Sequence, residues 1–427
     1  MHPSLPLNRF RWYGWALKAS LPYSLLVAVI LTAAPASVGP EWSQWGGPNR
    51  DFTVDGKGLV ASWPDTGPKK LWSRPLGEGY SSIAVSGGML FTLYRRDNQE
   101  VVIALDAASG KTRWEFVYAA AFLSGMDMQN GPGPSSTPLV LNGRVYTVGV
   151  TGKFHCLDQK TGKLIWAHDL IKEFNGTVLQ RGYSASPIAH RQSVIVPVGG
   201  KGHAVISFEQ QSGRVLWAKQ DFDNSNSSPM FIQLGDQKQL LLFLAREIVG
   251  LNPDTGDLLW THPHVTQWNL NITMPVWNGN VLFCSSGYDG GSRGLELTQS
   301  GAKTVVKELW ANPRLRINFT NTIRIGEHIY GSSGDFGPAF LSAVNIKTGK
   351  LAWQNRSYPK LNLISAGGKV VLLDEDGNLM LASISPESVQ IISKAKVLEN
   401  NSWTPPSLVG STLYLRDRKT IMAMDLS

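Results

Sequence analysis

The chain has 427 residues, 42% of them hydrophobic, and a formal net charge of +8. Residues 1–36 hold three basic and no acidic residues, so the remainder carries 8 − 3 = +5. A basic excess this small in so long a chain argues against nucleic-acid binding. The two cysteines, Cys156 and Cys284, each lie in an apolar strand-like run, so two buried free thiols are expected rather than a disulfide.

The first 36 residues have the three parts of a secretory signal. A basic stretch precedes the apolar run Leu21–Ala33, and Ala34-Pro35-Ala36 fits a cleavage site of the A-x-A type. An uncleaved membrane anchor is the alternative, although the run is short for a span of about 20 residues. Both interpretations predict an exported protein of the periplasm or cell envelope. Membrane association is expected only through an uncleaved N-terminus.

Residues 37–68 contain two tryptophans, Trp42 and Trp45, followed by Gly46-Gly47-Pro48. This composition is not typical of a strand. We expect an irregular extension that packs on the following domain and covers an edge or an opening.

A ten-residue pattern then recurs along the chain, and its clearest copy runs from Leu157 to Trp166. An apolar strand ends at Asp158, a turn closes on Thr161-Gly162, and a second strand reaches the Trp. Side chains of the turn can bond its amides, and Gly accepts a positive φ, so the pattern predicts a β-hairpin. Four further copies keep the acid or amide eight residues and the Gly four residues before a Trp: those ending at Trp114, Trp217, Trp260 and Trp353.

The spacing of these units predicts the fold. Successive tryptophans at positions 72, 114, 166, 217, 260, 310 and 353 are separated by 42 to 52 residues, a period that suits a four-stranded propeller blade. Several units begin with a residue followed by proline, and proline is tolerated at the beginning of a strand. These pairs are Thr137-Pro138, Ser186-Pro187, Ser228-Pro229, Met274-Pro275 and Thr404-Pro405.

The ends of the repeat region complete each other. The last unit, Trp403–Leu426, supplies three strands, and Lys69–Arg74 is a lone strand with no upstream partner. Pairing these segments closes the ring and leaves no open edge. The sequence therefore predicts an all-β, eight-bladed β-propeller of four-stranded antiparallel blades over residues 69–427, closed by its N- and C-terminal strands.

The repeats resemble those of the pyrroloquinoline-quinone (PQQ)-type β-propellers, whose blades carry an A-x-D-x-x-T-G-x-x-x-W motif. Ala104–Trp114 and Cys156–Trp166 follow it most closely, and the resemblance covers about residues 42–427. It implies the fold, with exported bacterial PQQ-like repeat proteins as similar examples. It implies less about function, because the same blades serve quinoprotein dehydrogenases and the BamB scaffold of outer-membrane barrel assembly.

Two functions follow from this resemblance. The first is a non-catalytic binding or assembly scaffold with no cofactor, although no lipid-anchor Cys follows the apolar run. The alternative is a PQQ-dependent dehydrogenase that oxidises an alcohol or sugar with Ca²⁺, although this enzyme class commonly has adjacent cysteines, which are missing here. No metal site is expected at His262 and His264 or at Asp374–Asn378, because neither group offers the ligands that zinc or calcium needs.

Loops that join consecutive blades, and loops between second and third strands, open on one face of a propeller. We expect this long-loop face to bind a protein, an anionic small molecule or a polysaccharide, because Arg recognises carboxylates and aromatic rings offer stacking surfaces. The candidates are Arg181, Tyr183, Arg246, Trp268, Asn271, Asp289, Arg293, Arg316, Trp403 and Arg416. If so, Arg181→Ala and Arg416→Ala weaken binding with little effect on unfolding. The alternative is that neighbouring acids neutralise the arginines, or that the arginines brace the blades.

Overall fold

The protein was studied as a computed structural model that describes residues 13–14, 41–301, 303–335 and 337–427. The chain divides into two units, Met1–Val38 and Gly39–Ser427. The secretory signal expected from the sequence falls outside the described residues, apart from Tyr13 and Gly14. Within the described ranges, no helix has the length and apolar character needed to cross a membrane.

The second unit is built from eight sheets, each with four antiparallel strands and one of them with a short fifth strand, so the predicted eight-bladed β-propeller is confirmed. Two strands precede the first complete blade: β1 Thr53–Val54 and β2 Lys69–Pro75. Blades 1 and 2 contain β3 Ala84–Ser86, β4 Met89–Arg96, β5 Gln99–Asp106, β6 Thr112–Ala119, β7 Leu139–Leu141, β8 Arg144–Val148, β9 Lys153–Asp158 and β10 Leu164–Asp169. A short helix, α1 Leu170–Phe174, follows.

Blades 3 and 4 contain β11 Ile188–His190, β12 Ser193–Pro197, β13 Val205–Glu209, β14 Val215–Lys219, β15 Met230–Leu234, β16 Gln237–Phe243, β17 Glu247–Leu251 and β18 Leu258–Pro263. Blades 5 and 6 contain β19 Val276–Trp277, β20 Val281–Ser286, β21 Gly291–Ser300, β22 Lys303–Asn312, β23 Ile323–Ile325, β24 His328–Ser333, β25 Phe340–Asn345 and β26 Leu351–Asn355. Blade 7 contains β27 Leu361–Ala366, β28 Lys369–Asp374, β29 Asn378–Ile384 and β30 Val389–Lys396, and blade 8 contains β31 Ser407–Val409, β32 Thr412–Arg416 and β33 Thr420–Asp425 together with β2.

The hydrophobic core lies between neighbouring blades. Phe91 and Val102 of blade 1, for example, share one buried cluster with Val145 and Leu157 of blade 2. Both faces of a blade are covered in this way, so its middle strands are nearly continuous apolar runs, as in β28 and β33. The outer strands alternate between buried or half-buried and exposed residues, as in β6, because their outer edge faces solvent.

The recurring Trp and Gly dock consecutive blades onto each other. The ring of Trp114 in blade 1 lies against Gly162 of blade 2, where an added Cβ would stand 2.5 Å from the ring. The indole Nε1 of Trp114 also donates to the carbonyl oxygen of Gln159 at 3.0 Å. Trp72 makes the same contacts with Gly110 and Ala107 across the closure. The Gly is therefore required by the close approach of the Trp as well as by its positive φ of 69° at Gly162.

The ring closes as the sequence predicts. β2 pairs antiparallel with β33, from Lys69 opposite Asp425 to Pro75 opposite Thr420. This pairing makes β2 the outer strand of blade 8 and leaves no open seam between the first and last blades.

Side-chain hydrogen bonds also link all eight blades around the central channel. In each case a Ser, Thr or Asn just before or at the start of the first strand of one blade donates to a backbone carbonyl at the matching point of the next. The donors and acceptors, in order, are Ser81 to Ser136, Ser136 to Ala185, Ser184 to Asn226, Ser227 to Thr273, Thr273 to Thr320, Asn321 to Leu363, Asn362 to Trp403, and Thr404 to Tyr80. We call this set the hydroxyl–amide ring.

The extension at residues 41–68 crosses the channel at the end where the first and second strands turn. Trp42 exchanges two backbone hydrogen bonds with Val85 of blade 1, at 3.0 and 2.9 Å. β1 pairs in parallel with Ser365–Ala366 of β27 and so adds a fifth strand to blade 7. The sequence did not indicate this strand, because two residues are too few to show a period of two.

Candidate functional site

A cavity of about 500 Å³ occupies the central channel. Its mouth is formed by loops between blades, and Tyr80, Asp127, Arg181, Phe319 and Trp403 line it there. The predicted long-loop face is therefore the face on which this cavity opens.

Three aromatic rings form a cluster at the mouth. The ring of Trp403 lies 5.3 Å from that of Tyr80 and 5.0 Å from that of Phe319, between centroids. Hydrogen bonds hold two of the rings: Trp403 Nε1 donates to Glu375 Oε2 at 2.9 Å, and the Tyr80 hydroxyl donates to the carbonyl oxygen of Asn130 at 2.7 Å. We call Tyr80, Phe319 and Trp403 the aromatic rim.

One wall of the cavity is apolar. Leu270, Ile272, Met274 and Val276 line it and are half-buried, while the residues between them are buried. This alternation is that of an extended segment with one face toward the channel. Met128, Met230 and Phe231 add further apolar surface.

The extension forms the floor of the cavity, to which Trp45, Asp51 and Phe52 contribute. Partial burial raises the pKa of Asp51, while the Thr53 amide that donates to its carboxylate at 3.0 Å and the charge of Arg324 act in the opposite direction. The neighbouring Arg50 is 6% exposed and points into the protein. Its burial lowers its pKa to about 9.

Of the ten candidate residues, Arg181 and Trp403 line the cavity. Arg181 is already engaged by Asp127: Nη1 lies 3.2 Å from Oδ2 and donates to the carbonyl oxygen at 2.7 Å. The guanidinium and the carboxylate are 27% and 43% exposed, so the pair is open to solvent at the mouth.

Three further candidates on the same face also pair within the chain. Arg316 Nη2 lies 2.8 Å from Asp289 Oδ1, and its Nη1 lies 3.3 Å from Asp335 Oδ2. Arg293 Nη1 donates to Glu308 Oε2 at 2.7 Å. The alternative stated from the sequence, that neighbouring acids neutralise these arginines, therefore holds for Arg181, Arg293 and Arg316.

Three candidates are buried, which corrects the prediction that they face a ligand. The hydroxyl of Tyr183 donates to the carbonyl oxygen of Val198 at 2.8 Å, and burial raises its pKa. The Asn271 amide donates to the carbonyl oxygen of Leu244 at 2.7 Å. Arg416 is 0% exposed. These polar groups satisfy backbone carbonyls beneath the loops, a role that residue type alone does not distinguish from binding.

Arg246 and Trp268 are exposed loop residues that do not line the cavity. The ring of Trp268 meets that of Tyr288 edge-on at 4.7 Å. Tyr288 does line the cavity, so this pair borders its mouth.

Sequence reasoning missed two rings of the aromatic rim. It predicted an extension that covers an edge or an opening, but not that this extension lines the cavity. Tyr80 and Phe319 each lie in a loop between blades, and no sequence motif of the repeat includes them. A comparison of loop positions across repeats could have found them, because both lie just before the first strand of a blade.

The arrangement does not fit a PQQ and calcium site. Within the described ranges, no group of three or more His, Cys, Asp or Glu residues could hold a metal ion. The two carboxylates that line the cavity are separated: Asp127 belongs to the loop between β6 and β7, and Asp51 belongs to the floor. The cysteines are free and buried, as predicted, and burial raises the pKa of Cys156 to about 12.

The fold and cavity define a PQQ-type β-propeller with a channel closed at one end by its own extension. The profile of the family described as outer membrane protein assembly factor BamB matches residues 45–125 and 98–355. The chain therefore belongs to this family.

Curated relatives include both assembly factors and enzymes. The chain is 20% identical to the outer membrane protein assembly factor BamB of Shewanella oneidensis, over 66% of this chain and 71% of that protein. It is 25% identical to the BamB of Yersinia pestis, over 49% and 53%, so it spans about half of that relative. A quinoprotein alcohol dehydrogenase of Pseudomonas putida is 22% identical over 56% of this chain and 41% of the enzyme.

Solved structures show the same fold. BamB of Moraxella catarrhalis matches with a TM-score of 0.57 and 19% identity, covering 84% of this chain and all of that one (100%). The quinohemoprotein alcohol dehydrogenase of Comamonas testosteroni matches with a TM-score of 0.65 and 13% identity, covering 91% and 80%. The fold is thus common to both functional classes.

Proposed function

We propose that the protein is an exported, non-catalytic scaffold that binds a protein partner in the assembly of outer-membrane proteins. The observation that carries this proposal is the match to the BamB family over residues 45–125 and 98–355. Export to the periplasm or cell envelope is part of the proposal, and the family's description as an outer membrane protein assembly factor supports it.

The long-loop face supports binding to a protein. Partly buried aromatic residues at the centre of a surface, such as the aromatic rim, are typical anchors of protein interfaces. Exposed Arg246 and Trp268 lie on the same face and add residue types that interfaces favour. The opposite face offers short hairpin turns and the extension that closes the channel.

An anionic ligand has less support than a protein partner. Arg181, Arg293 and Arg316 already contact carboxylates of the chain, so an incoming anion would compete with these pairs. Paired charges of both signs favour complementary contacts with a protein surface.

The alternative function is a PQQ-dependent dehydrogenase, which the Pseudomonas and Comamonas relatives represent. The separated carboxylates Asp51 and Asp127 do not form the set of oxygen ligands that calcium requires. We therefore favour the scaffold.

The test is recovery of partners from the cell envelope with a tagged protein in its native host. We expect the wild type to recover components of the outer-membrane assembly machinery and the double variant Arg246→Asp, Trp268→Ala to lose them. Lys347→Glu, in the turn after β25, is the control and should recover them normally. A protein that recovers none of these components, but reduces a dye with an alcohol after addition of PQQ and Ca²⁺, would instead be a dehydrogenase.

A further inference from the structure

We infer that the central cavity binds an extended peptide segment. An apolar or aromatic side chain of the peptide enters the cavity through its mouth on the long-loop face. This inference rests on the proposed scaffold function and specifies which feature of a protein partner enters the channel. The cavity of about 500 Å³ falls within the range of roughly 300–1,000 Å³ that is usual for small ligands. It therefore suits a short segment and not a folded domain.

The polar side chains around the channel are largely used by the protein itself. The hydroxyl of Ser184 donates to the carbonyl oxygen of Asn226 at 3.1 Å. Asn321 uses both ends of its amide on Leu363, with distances of 2.7 and 2.8 Å. The hydroxyl–amide ring takes up these groups. Asn226 Oδ1 and Thr320 Oγ1 find no partner among the described residues, but both atoms are buried, so few polar atoms are accessible to recognise the hydroxyls of a sugar.

The charged pair at the mouth is also used within the protein. Arg181 and Asp127 are bonded to each other through both the carboxylate and the backbone carbonyl. A saccharide would have to replace these bonds, whereas an apolar side chain can pass beside them.

Apolar surface is what the cavity offers a ligand. Leu270, Ile272 and Met274 face it from one segment, and Met128 and Met230 face it from two others. Methionine is flexible and polarisable, so it adapts to side chains of different shape and contacts aromatic rings favourably. Met-rich surfaces are typical of proteins that bind varied partners.

The aromatic rim lies where such a segment would enter. Trp403 and Tyr80 are held by hydrogen bonds at their polar ends, and Phe319 packs against Trp403, which leaves ring faces and edges for apolar contact. The floor then limits how far the segment can enter, because the extension, with Trp45 and Phe52, closes the channel.

The experiment measures fluorescence anisotropy of labelled peptides with the full-length protein. The probe is a fluorescein-labelled heptapeptide with the sequence GSFSFSG, compared with GSASASG and with labelled maltoheptaose. We expect the phenylalanine peptide to bind about tenfold or more tightly than the other two probes.

Two cavity variants and one control locate the site. Met274→Asp places a charge on the apolar wall, and Ile272→Trp fills the space without adding charge. Each should weaken binding of the phenylalanine peptide by about tenfold or more. Val305→Asp adds the same charge to the exposed outer strand β22, where Val305 is 49% exposed, and should leave binding unchanged. Thermal unfolding identifies any variant that fails to fold.

Equal binding of the phenylalanine and alanine peptides, tighter binding of maltoheptaose, or no effect of either cavity variant would overturn the inference. Recovery of envelope partners by Met274→Asp is measured separately. If the wild type recovers envelope partners but does not prefer the phenylalanine peptide, the cavity inference is wrong and the scaffold function stands. If partner recovery fails in the wild type, the scaffold function itself is wrong.

Discussion

Arg416 shows how a charged residue on a loop-rich face becomes part of the framework. Its guanidinium is fully buried where blade 8 meets blade 1, and it donates to the carbonyl oxygens of Ser81 at 3.2 Å, Leu93 at 2.8 Å and Gly77 at 3.2 Å. Burial lowers its pKa to about 9, so it remains a cation near neutral pH. Arg416 therefore braces the closure of the ring.

Arg416→Ala is expected to lower the free energy of unfolding by about 3 kcal/mol or more, because several buried carbonyl groups lose their donor at once. The exposed Arg314 provides the control, and Arg314→Ala should change stability by less than about 0.5 kcal/mol. Urea unfolding of both variants measures the difference. Equal stability of the two variants would show that Arg416 is not a brace.

His264 gives the stability a pH dependence. The residue is 1% exposed, packs edge-on against Phe243 with ring centroids 4.8 Å apart, and finds no hydrogen-bond partner for either ring nitrogen among the described residues. Loss of hydration is the main cause that lowers its pKa to about 3, from an ordinary 6.5, and the charge of Arg293 adds to it.

Between pH 3 and pH 6.5, His264 therefore binds a proton in the unfolded chain but not in the folded protein. This group's contribution to stability is complete above pH 6.5 and is lost as the pH falls toward 3, by about 1.4 kcal/mol per pH unit. His264→Phe should reduce the slope of unfolding free energy against pH by about that amount between pH 6 and pH 4. The half-buried His328, changed to Phe, is the control. Parallel slopes for wild type and His264→Phe would contradict this account.

At the scale of the strand and turn, the repeated Gly has two functions that substitution can separate. Gly162 and Gly143 have similar positive φ values of 69° and 73°. A Cβ on Gly162 would stand 2.5 Å from the ring of Trp114, whereas a Cβ on Gly143 would meet nothing within 4 Å. The first turn docks the next blade, and the second is a free hairpin turn.

Gly143→Ala should therefore cost about 1 kcal/mol from backbone strain alone. Gly162→Ala should cost about 1–3 kcal/mol more, because the Trp must move away from its site. Thermal unfolding and the fluorescence of the docked tryptophan check this result. If both substitutions cost the same, the ring contact does not contribute to stability.

The strands were predictable because the turn-and-Trp pattern recurs in five copies along the chain, each with the same types of residue at the same spacing. The Trp spacing, the Thr-Gly turns and the closure by Lys69–Arg74 depend on local sequence, and each is present in the structure. In the sequence, the residues before proline, such as Ser186 and Thr404, indicate only that a first strand begins there. Their hydroxyls link neighbouring blades, with Ser186 Oγ accepting from the Thr137 amide at 2.9 Å and Thr404 Oγ1 donating to Tyr80 O at 3.0 Å, a long-range partnership that no local pattern reveals.

The candidate site was less predictable, because its side chains also depend on partners that are distant in the sequence. The sequence indicated the face on which the cavity opens, but whether a loop arginine is buried, paired or available depends on residues far away in the chain, as for Arg416 and Ser81, which are 335 positions apart. Arg416 and Arg246 have the same side chain and similar places in their blades, since Arg416 ends the second strand β32 and Arg246 lies three residues after the second strand β16. One is buried among carbonyls and the other is exposed.

For the whole molecule, the extension decides whether the propeller has a channel or a closed cavity. Its backbone bonds to Val85, Val140 and Ser365 join it to blades 1, 2 and 7. Between these points, Arg50 Nη1 donates to the carbonyl oxygen of Pro187 in blade 3 at 3.2 Å. A buried cation thus fixes the middle of a segment that otherwise has few side-chain anchors.

Arg50→Met keeps most of the side-chain volume but removes the bonds to carbonyl groups, so it should loosen the floor without opening the ring. We expect faster hydrogen exchange, measured by mass spectrometry, in peptides that cover residues 41–54 and 361–366, because the Ser365 amide is bonded to Phe52 O at 2.9 Å. Peptides from β16 and β17 in blade 4 should keep their protection. Arg324→Met is the control, since this exposed residue lines the same cavity but donates to its own hairpin turn at Gly326. Uniformly faster exchange in all blades would mean that Arg50 stabilises the whole propeller, and unchanged exchange at residues 41–54 would mean that the floor is held by its backbone pairing alone.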